Sequence, residues 1–258
     1  MAQLTELAPA EAPAAPATST PLPDLVLILS VIKTPKLPLS YTWKRSSFSH
    51  EGRWKQTKVT FGSIKKHLPN AKVMMVECSD LDKDLLKVIN ENVDYFINKI
   101  DDIPHKDIIY DKWKAHGEAT QTLTAFKYIK EHNLQFKNIF KISGRYYLTD
   151  DFKYDLYDND LQVFKVVKGY DPIPDQHKLG SISTRLYKIP HSFIDQLGTF
   201  LENYRGAMQR RGTMSTYEKV FAQYLLESNY ENIVLVKDPD KIGIEGKVSV
   251  RNNNLINE

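Results

Sequence analysis

Short, continuous apolar runs alternate along this chain with longer amphipathic stretches. The first run, residues 25–32, has no polar alternation to give it a wet face and reads as a buried parallel strand. Comparable runs at 71–78, 95–97, 138–142, 161–167, 181–189 and 233–236 read as further strands. Between them, helical spacing predicts helices over 54–68, ended by Pro69, and over 81–93, where Leu85, Leu86, Ile89 and Val93 share a face and Ser79 or Asp82 can cap. Another helix opens at Gly117-Glu118, with Ala119, Leu123, Phe126 and Ile129 facing one way. Two late helices start near Ser192 and Ser215, the second carrying Tyr217, Val220, Phe221, Tyr224 and Leu225 on one side. Three strand–helix alternations in the first half predict βαβ units, hence an α/β fold with a Rossmann-like, mostly parallel central sheet flanked by helices.

The ends of the chain lack this pattern. Residues 1–23 are rich in Ala, Pro, Ser and Thr, cannot supply a core, and read as a disordered tail. Residues 24–246 read as a single domain, and 247–258, with Asn252, Asn253 and Asn254, as a flexible tail.

Composition narrows the class. At 258 residues and 41% hydrophobic, the chain is long enough for a sizeable core. The net charge is +3, but the first 24 residues hold three acids and no base, so the remainder carries +6. Its basic residues are dispersed rather than blocked, which disfavours nucleic acid and suits a small polyanion. The single cysteine, Cys78, permits no disulfide within the chain and reads as a buried thiol in a reducing, cytoplasmic setting. No basic leader or membrane-length apolar run is visible.

The seven histidines include no pair four residues apart, and no metal-ligand spacing stands out. Asp80 and Asp82 are better explained by helix capping than by a metal. P-loop, dinucleotide-binding and serine-hydrolase signatures are absent, which disfavours those enzyme classes. What remains is basic loops near strand ends with a few lone carboxylates, an inventory that suits a transferase with a nucleotide-activated donor. A leaving diphosphate needs cationic or backbone donors, and an acceptor hydroxyl needs a base.

The stretch 138–151 concentrates this chemistry. Its apolar run breaks at Ser143-Gly144-Arg145, where a glycine admits close backbone approach and an arginine suits a phosphate. A hairpin or bulge with a surface arginine fits the same residues. The aromatic and basic loop after the first strand, with Arg45 and Arg53, lies where ligand contacts are common. Glu218 is a candidate base, although Ser215 three residues before it also gives the capping-box spacing. Glu118 sits at a helix start, where the dipole favours a carboxylate in any case. His177, in a proline-bounded loop, is the one histidine that stands beside Glu218 as a candidate catalytic residue.

Gly117-Glu118-Ala119 followed by Lys141-Ile142-Ser143-Gly144-Arg145-Tyr146 resembles a loosely defined group of glycosyltransferases with the nucleotide-diphospho-sugar transferase fold, the GT-A type, found in bacterial polysaccharide clusters and some large viruses. The resemblance spans roughly residues 25–236. It implies a nucleotide-sugar donor and a glycan, lipid or protein acceptor, with donor contacts from Arg45, Arg53, Asp101, Asp102, Glu118, Lys141, Ser143, Gly144, Arg145 and Tyr146, and Glu218 near the acceptor. Ser143-Gly144-Arg145 would fall where much of this fold carries a metal-binding Asp-x-Asp, and no acid stands there. The expectation is therefore diphosphate stabilisation by Arg145 with Arg45 or Arg53, leaving the cofactor undefined; a divalent ion such as Mn²⁺ would need other acids. A non-catalytic sugar-nucleotide or glycan-binding module, or another nucleotide-using transferase, are the alternatives.

Overall fold

The structure is a computed structural model that describes residues 21–39, 45–100, 114–167, 181–211, 216–237, 239–247 and 255–258. In chain order the elements are β1 (Leu25–Ser30), α1 (His50–His67), β2 (Lys72–Glu77), α2 (Lys83–Asn90), β3 (Tyr95–Asn98), α3 (Lys114–Glu131), β4 (Asn138–Ser143) and β5 (Tyr146–Leu148). They continue with β6 (Gln162–Val166), β7 (Ile182–Pro190), α4 (Ile194–Arg211), α5 (Tyr217–Glu227), β8 (Ile233–Val236), β9 (Ile244–Lys247) and β10 (Leu255–Asn257).

The central sheet has seven strands in the order β3-β2-β1-β4-β7-β6-β8. β1 runs parallel to β2 and β4, β2 to β3, and β6 to β8, while β7 lies antiparallel between β4 and β6. The expected α/β, mostly parallel sheet is thus present. β5, β9 and β10 form a second, small antiparallel sheet.

The uninterrupted apolar character of β1 follows from burial on both faces. Leu25, Leu27 and Leu29 point into a core shared with Phe126 and Ile129 of α3, Leu197 and Leu201 of α4, and Phe221 of α5. Val26 and Ile28 point the other way, into a core with Phe61 and Ile64 of α1, Ile89 of α2 and Phe140 of β4. Each such side chain contributes roughly 1.5–3 kcal/mol when fully buried, so both helical layers are needed to hold the strand.

Several boundaries differ from the sequence expectation. α1 begins at His50 rather than residue 54, because the Ser49 hydroxyl accepts from Gly52 N and starts the helix one turn before its apolar spacing begins. This moves Arg53 from a loop into the helix. α3 is already helical at Lys114, three residues before Gly117. The basic segment from Arg205, expected as a loop, continues α4 as far as Arg211. The cap of α5 is Thr216, with no side-chain capping bond, so Glu218 occupies the second helical position instead of the third that a capping box requires. Residues 255–257, within the segment expected to be flexible, pair antiparallel with β9. Asp82 does cap α2, accepting from Leu85 N at 2.9 Å, and Cys78 is buried. Among the described residues no helix is long and apolar enough to cross a membrane.

Candidate functional site

The carboxyl ends of β1, β2 and β4 open into one cleft, the place where parallel sheets commonly hold ligands. Leu29 and Ser30 of β1 and Cys78 just past β2 form its floor, and Thr34 and Pro35 lie along one edge. Arg45 together with Arg53 and Thr57 of α1 make one wall. Lys114, Gly117, Glu118 and Gln121 of α3 make another, and Ser143-Gly144-Arg145 closes the end of β4.

Buried polar contacts fix these parts. Glu77, the last residue of β2, is fully buried and accepts from Ile32 N, Cys78 N and the Ser79 hydroxyl. Ser79 Oγ in turn accepts from Lys33 N at 2.9 Å, so one carboxylate sets the course of the chain leaving β1. Burial pushes the Glu77 carboxyl up, against the pull of these hydrogen bonds. Gln121 Nε2 donates to Ser30 O at 2.7 Å and ties α3 to the same strand end.

Gly144 is where the floor and the end wall touch. Its N–H donates to Leu29 O at 3.0 Å, and a Cβ there would lie 3.1 Å from Ser30 Cβ and 3.3 Å from Ile28 Cγ2. α1 holds the segment that follows through three buried hydroxyls one turn apart. Thr57 donates to Gly144 O at 2.9 Å, Thr60 donates to Tyr146 O at 2.7 Å, and Ser63 accepts from Leu148 N at 3.0 Å. That face of α1 is therefore polar yet buried.

The electrostatics are lopsided. Four of the described lining residues are cationic (Arg45, Arg53, Lys114 and Arg145) and one, Glu118, is acidic. Arg53 donates to Ser46 Oγ at 3.1 Å and Val31 O at 3.0 Å. Burial, then the nearby Arg145 charge, bring its guanidinium down to about 9 despite Glu77. Lys114 is brought down to about 7 by burial and by Arg145 and Arg53, with Glu118 and Glu218 opposing. Burial would raise the Glu118 carboxyl, but Lys141, Lys114 and Arg145 outweigh it and hold it below the usual range. Its two oxygens lie 3.7 Å from the ammonium groups of Lys114 and Lys141.

The structure brings Arg45, Arg53, Glu118, Ser143, Gly144 and Arg145 together around one cleft. Lys141 lies behind the wall, its side chain 1% exposed. Tyr146 is buried as well, with the Arg145 and Arg185 guanidinium groups 5.4 and 5.8 Å from its ring centre. Glu218 sits half-buried in the first turn of α5, close enough for its charge to act on Lys114, Lys141 and Arg185. Asp101, Asp102 and His177 lie outside the described residues.

Sequence reasoning missed Lys114, Glu77, Gln121 and the Arg185–Glu258 ion pair of 2.6 Å. For Lys114 the signal was present in its i,i+4 spacing to Glu118 at a helix start. Glu77 showed only as an isolated acid at the end of an apolar run, and Gln121 and the Arg185–Glu258 pair gave no local signal.

No protein-family model and no curated protein matches this sequence. Among solved structures, core-mannan synthase A from Aspergillus fumigatus in its Mn/GDP form superposes with a TM-score of 0.55 at 8% identity, over 86% of this chain and 74% of that one. A glycosyltransferase involved in glycosylation of the major capsid of PBCV-1 gives 0.47 at 6% identity, over 83% of this chain and 81% of that one. At 8% identity the likeness to core-mannan synthase A is one of fold. The chain has the α/β architecture of a GT-A-like glycosyltransferase, as its SGRY segment suggested.

Proposed function

We propose that this protein transfers a sugar from a nucleotide-diphosphate sugar to a hydroxyl of a glycan, lipid or protein acceptor. One observation carries the reading: in a glycosyltransferase fold, the described residues lining the cleft at the ends of β1 and β4 include four cations and one carboxylate. Breaking the sugar–phosphate bond leaves negative charge on the diphosphate, and preorganised cations in a partly buried site stabilise that charge as it develops. Arg145 at the end of β4, Arg53 on α1 and Lys114 on α3 converge on the cleft from three elements.

The fold raises the question of a divalent metal, since manganese is present in the core-mannan synthase A structure. The groups at this strand end do not fit one. They are a hydroxyl, a glycine and a guanidinium, with the Lys141 ammonium behind them, and none is an anionic ligand. Among the described residues no group of three or more His, Cys, Asp or Glu could hold a metal ion. In this reading the side-chain cations themselves hold the diphosphate. Glu218, in the first turn of α5 and near enough for its charge to act on Lys114 and Arg185, is assigned as the base that takes the acceptor hydroxyl proton.

The test is a thermal-shift screen against UDP-, GDP-, CMP- and dTDP-linked sugars in the presence of EDTA. A specific donor raises the melting temperature by mass action, and Arg145→Ala reduces the response. If none of these compounds shifts the wild-type protein, with EDTA or with added Mn²⁺, the donor reading is wrong.

A further inference from the structure

The turn after β4 uses up its own backbone donors. Gly144 N–H is taken by Leu29 O at 3.0 Å and Arg145 N–H by Ser143 O at 2.7 Å. An anion seated there meets side-chain donors instead of a backbone cradle. Ser143 supplies a hydroxyl at that point of the wall, and its orientation follows from what lies behind it.

Lys141 Nζ donates to Ser143 Oγ at 3.0 Å and to Thr184 O, and faces Glu118 Oε2 at 3.7 Å. A lysine ammonium has three N–H donors and no acceptor; Ser143 and Thr184 take two of them, the Glu118 carboxylate balances the charge, and at 1% exposure the side chain is out of a ligand's reach. A hydroxyl has one donor and two lone pairs. Because Ser143 Oγ accepts from the ammonium, its O–H must point away from Lys141. Among the described residues no protein acceptor receives that proton, while Ser143 lines the cleft. Glu118 links this arrangement to the opposite wall, because its other carboxylate oxygen lies 3.7 Å from Lys114 Nζ.

We propose that Ser143 is a hydrogen-bond donor to the diphosphate of the nucleotide-sugar, and that Lys141 is its positioning residue, fixing the hydroxyl so that its proton faces the ligand. The inference rests on the donor-site reading above. Lys141 touches no substrate. It withdraws a lone pair from Ser143, which aims the proton and strengthens it as a donor, and Glu118 holds the ammonium against the wall.

The experiment measures binding of inorganic pyrophosphate, UDP and GDP by calorimetry to wild type, Ser143→Ala, Lys141→Met and the double variant. Pyrophosphate reads the anion subsite whatever base the natural donor carries. Ser143→Ala weakens pyrophosphate roughly 10- to 100-fold, the range for a hydrogen bond to a charged group. The same substitution on the Lys141→Met background costs at least fivefold less, since the hydroxyl is no longer aimed; a residue with a merely structural role would not show this coupling. If Lys141→Met does not fold, Lys141→Arg takes its place, because it keeps the charge but cannot set the same three-way geometry. Wild-type binding that Ser143→Ala leaves within twofold, or an equal cost in both backgrounds, overturns the inference and leaves the donor site standing. Wild type that binds none of pyrophosphate, UDP and GDP overturns both.

Discussion

Lys114 gives the sharpest quantitative prediction, because its charge state should govern donor binding near neutral pH. Its side chain lies along the cleft wall, and its ammonium is brought down to about 7 by burial and by Arg145 and Arg53, against Glu118 and Glu218. A diphosphate binds the protonated lysine in preference, so affinity should fall as pH rises. With the free-state value near 7, about nine clefts in ten are competent at pH 6 and about one in ten at pH 8, and the apparent Kd rises roughly tenfold across that interval. Arg53, brought down to about 9, stays charged over this range. The assay is calorimetric titration with whichever nucleotide-sugar the thermal screen identifies, since its diphosphate diester does not titrate between pH 6 and 8. Proton uptake on binding is read from two buffers of different ionisation enthalpy. Lys114→Arg should flatten the profile while retaining affinity, and Lys114→Met should flatten it at the weak, high-pH level. A wild-type profile already flat, or a slope that survives Lys114→Met, refutes the reasoning. The sign for stability is separate: an unfolded lysine keeps its proton up to about 10.5, so the unfolded chain binds more protons between about 7 and 10.5 and this residue makes the fold more stable as pH rises through that window.

Other expectations concern the donor, the acceptor and the fold. Arg145→Ala should weaken nucleotide-sugar binding by about tenfold or more, the range for a lost charge-assisted bond, with little change in thermal unfolding. Glu218→Gln should abolish transfer while leaving donor affinity and melting temperature close to wild type; substantial transfer by this variant would remove Glu218 as the base. Gly243, at φ +74° with a notional Cβ 2.2 Å from Phe152 Cα, should not accept alanine. Strain and overpacking together predict a loss of about 2–4 kcal/mol, read as a lower melting temperature.

The apolar runs of β1 and β4 and the break at Ser143-Gly144-Arg145 were legible because they record local demands: burial on both faces of a strand, and a sharp change at its end. That is why the sheet and the glycine, serine and arginine of one cleft wall could be expected from the chain. α1 was harder to read. Its buried face carries Thr57, Thr60 and Ser63, so its inner surface looks like a solvated one until the carbonyls of Gly144 and Tyr146 are set against it. Its start was misplaced for the same reason, since Ser49 rather than apolar spacing decides where the helix begins.

Sequence by itself thus determined the α/β layering, the two-sided core and the presence of basic residues in loops after strand ends. Only the tertiary structure decided which charges meet. Lys114 and Lys141 are 27 positions apart, yet they share Glu118, because α3 brings that carboxylate within 3.7 Å of both ammonium groups. Glu77 looks like the polar end of a strand, and only its burial among the donors of Ile32, Cys78 and Ser79 makes it the anchor of the loop after β1. The physical reason is range. Hydrophobic periodicity is set by a residue's own strand or helix and can be read locally, whereas the charge state and aim of a polar group depend on partners from elements far away in the chain.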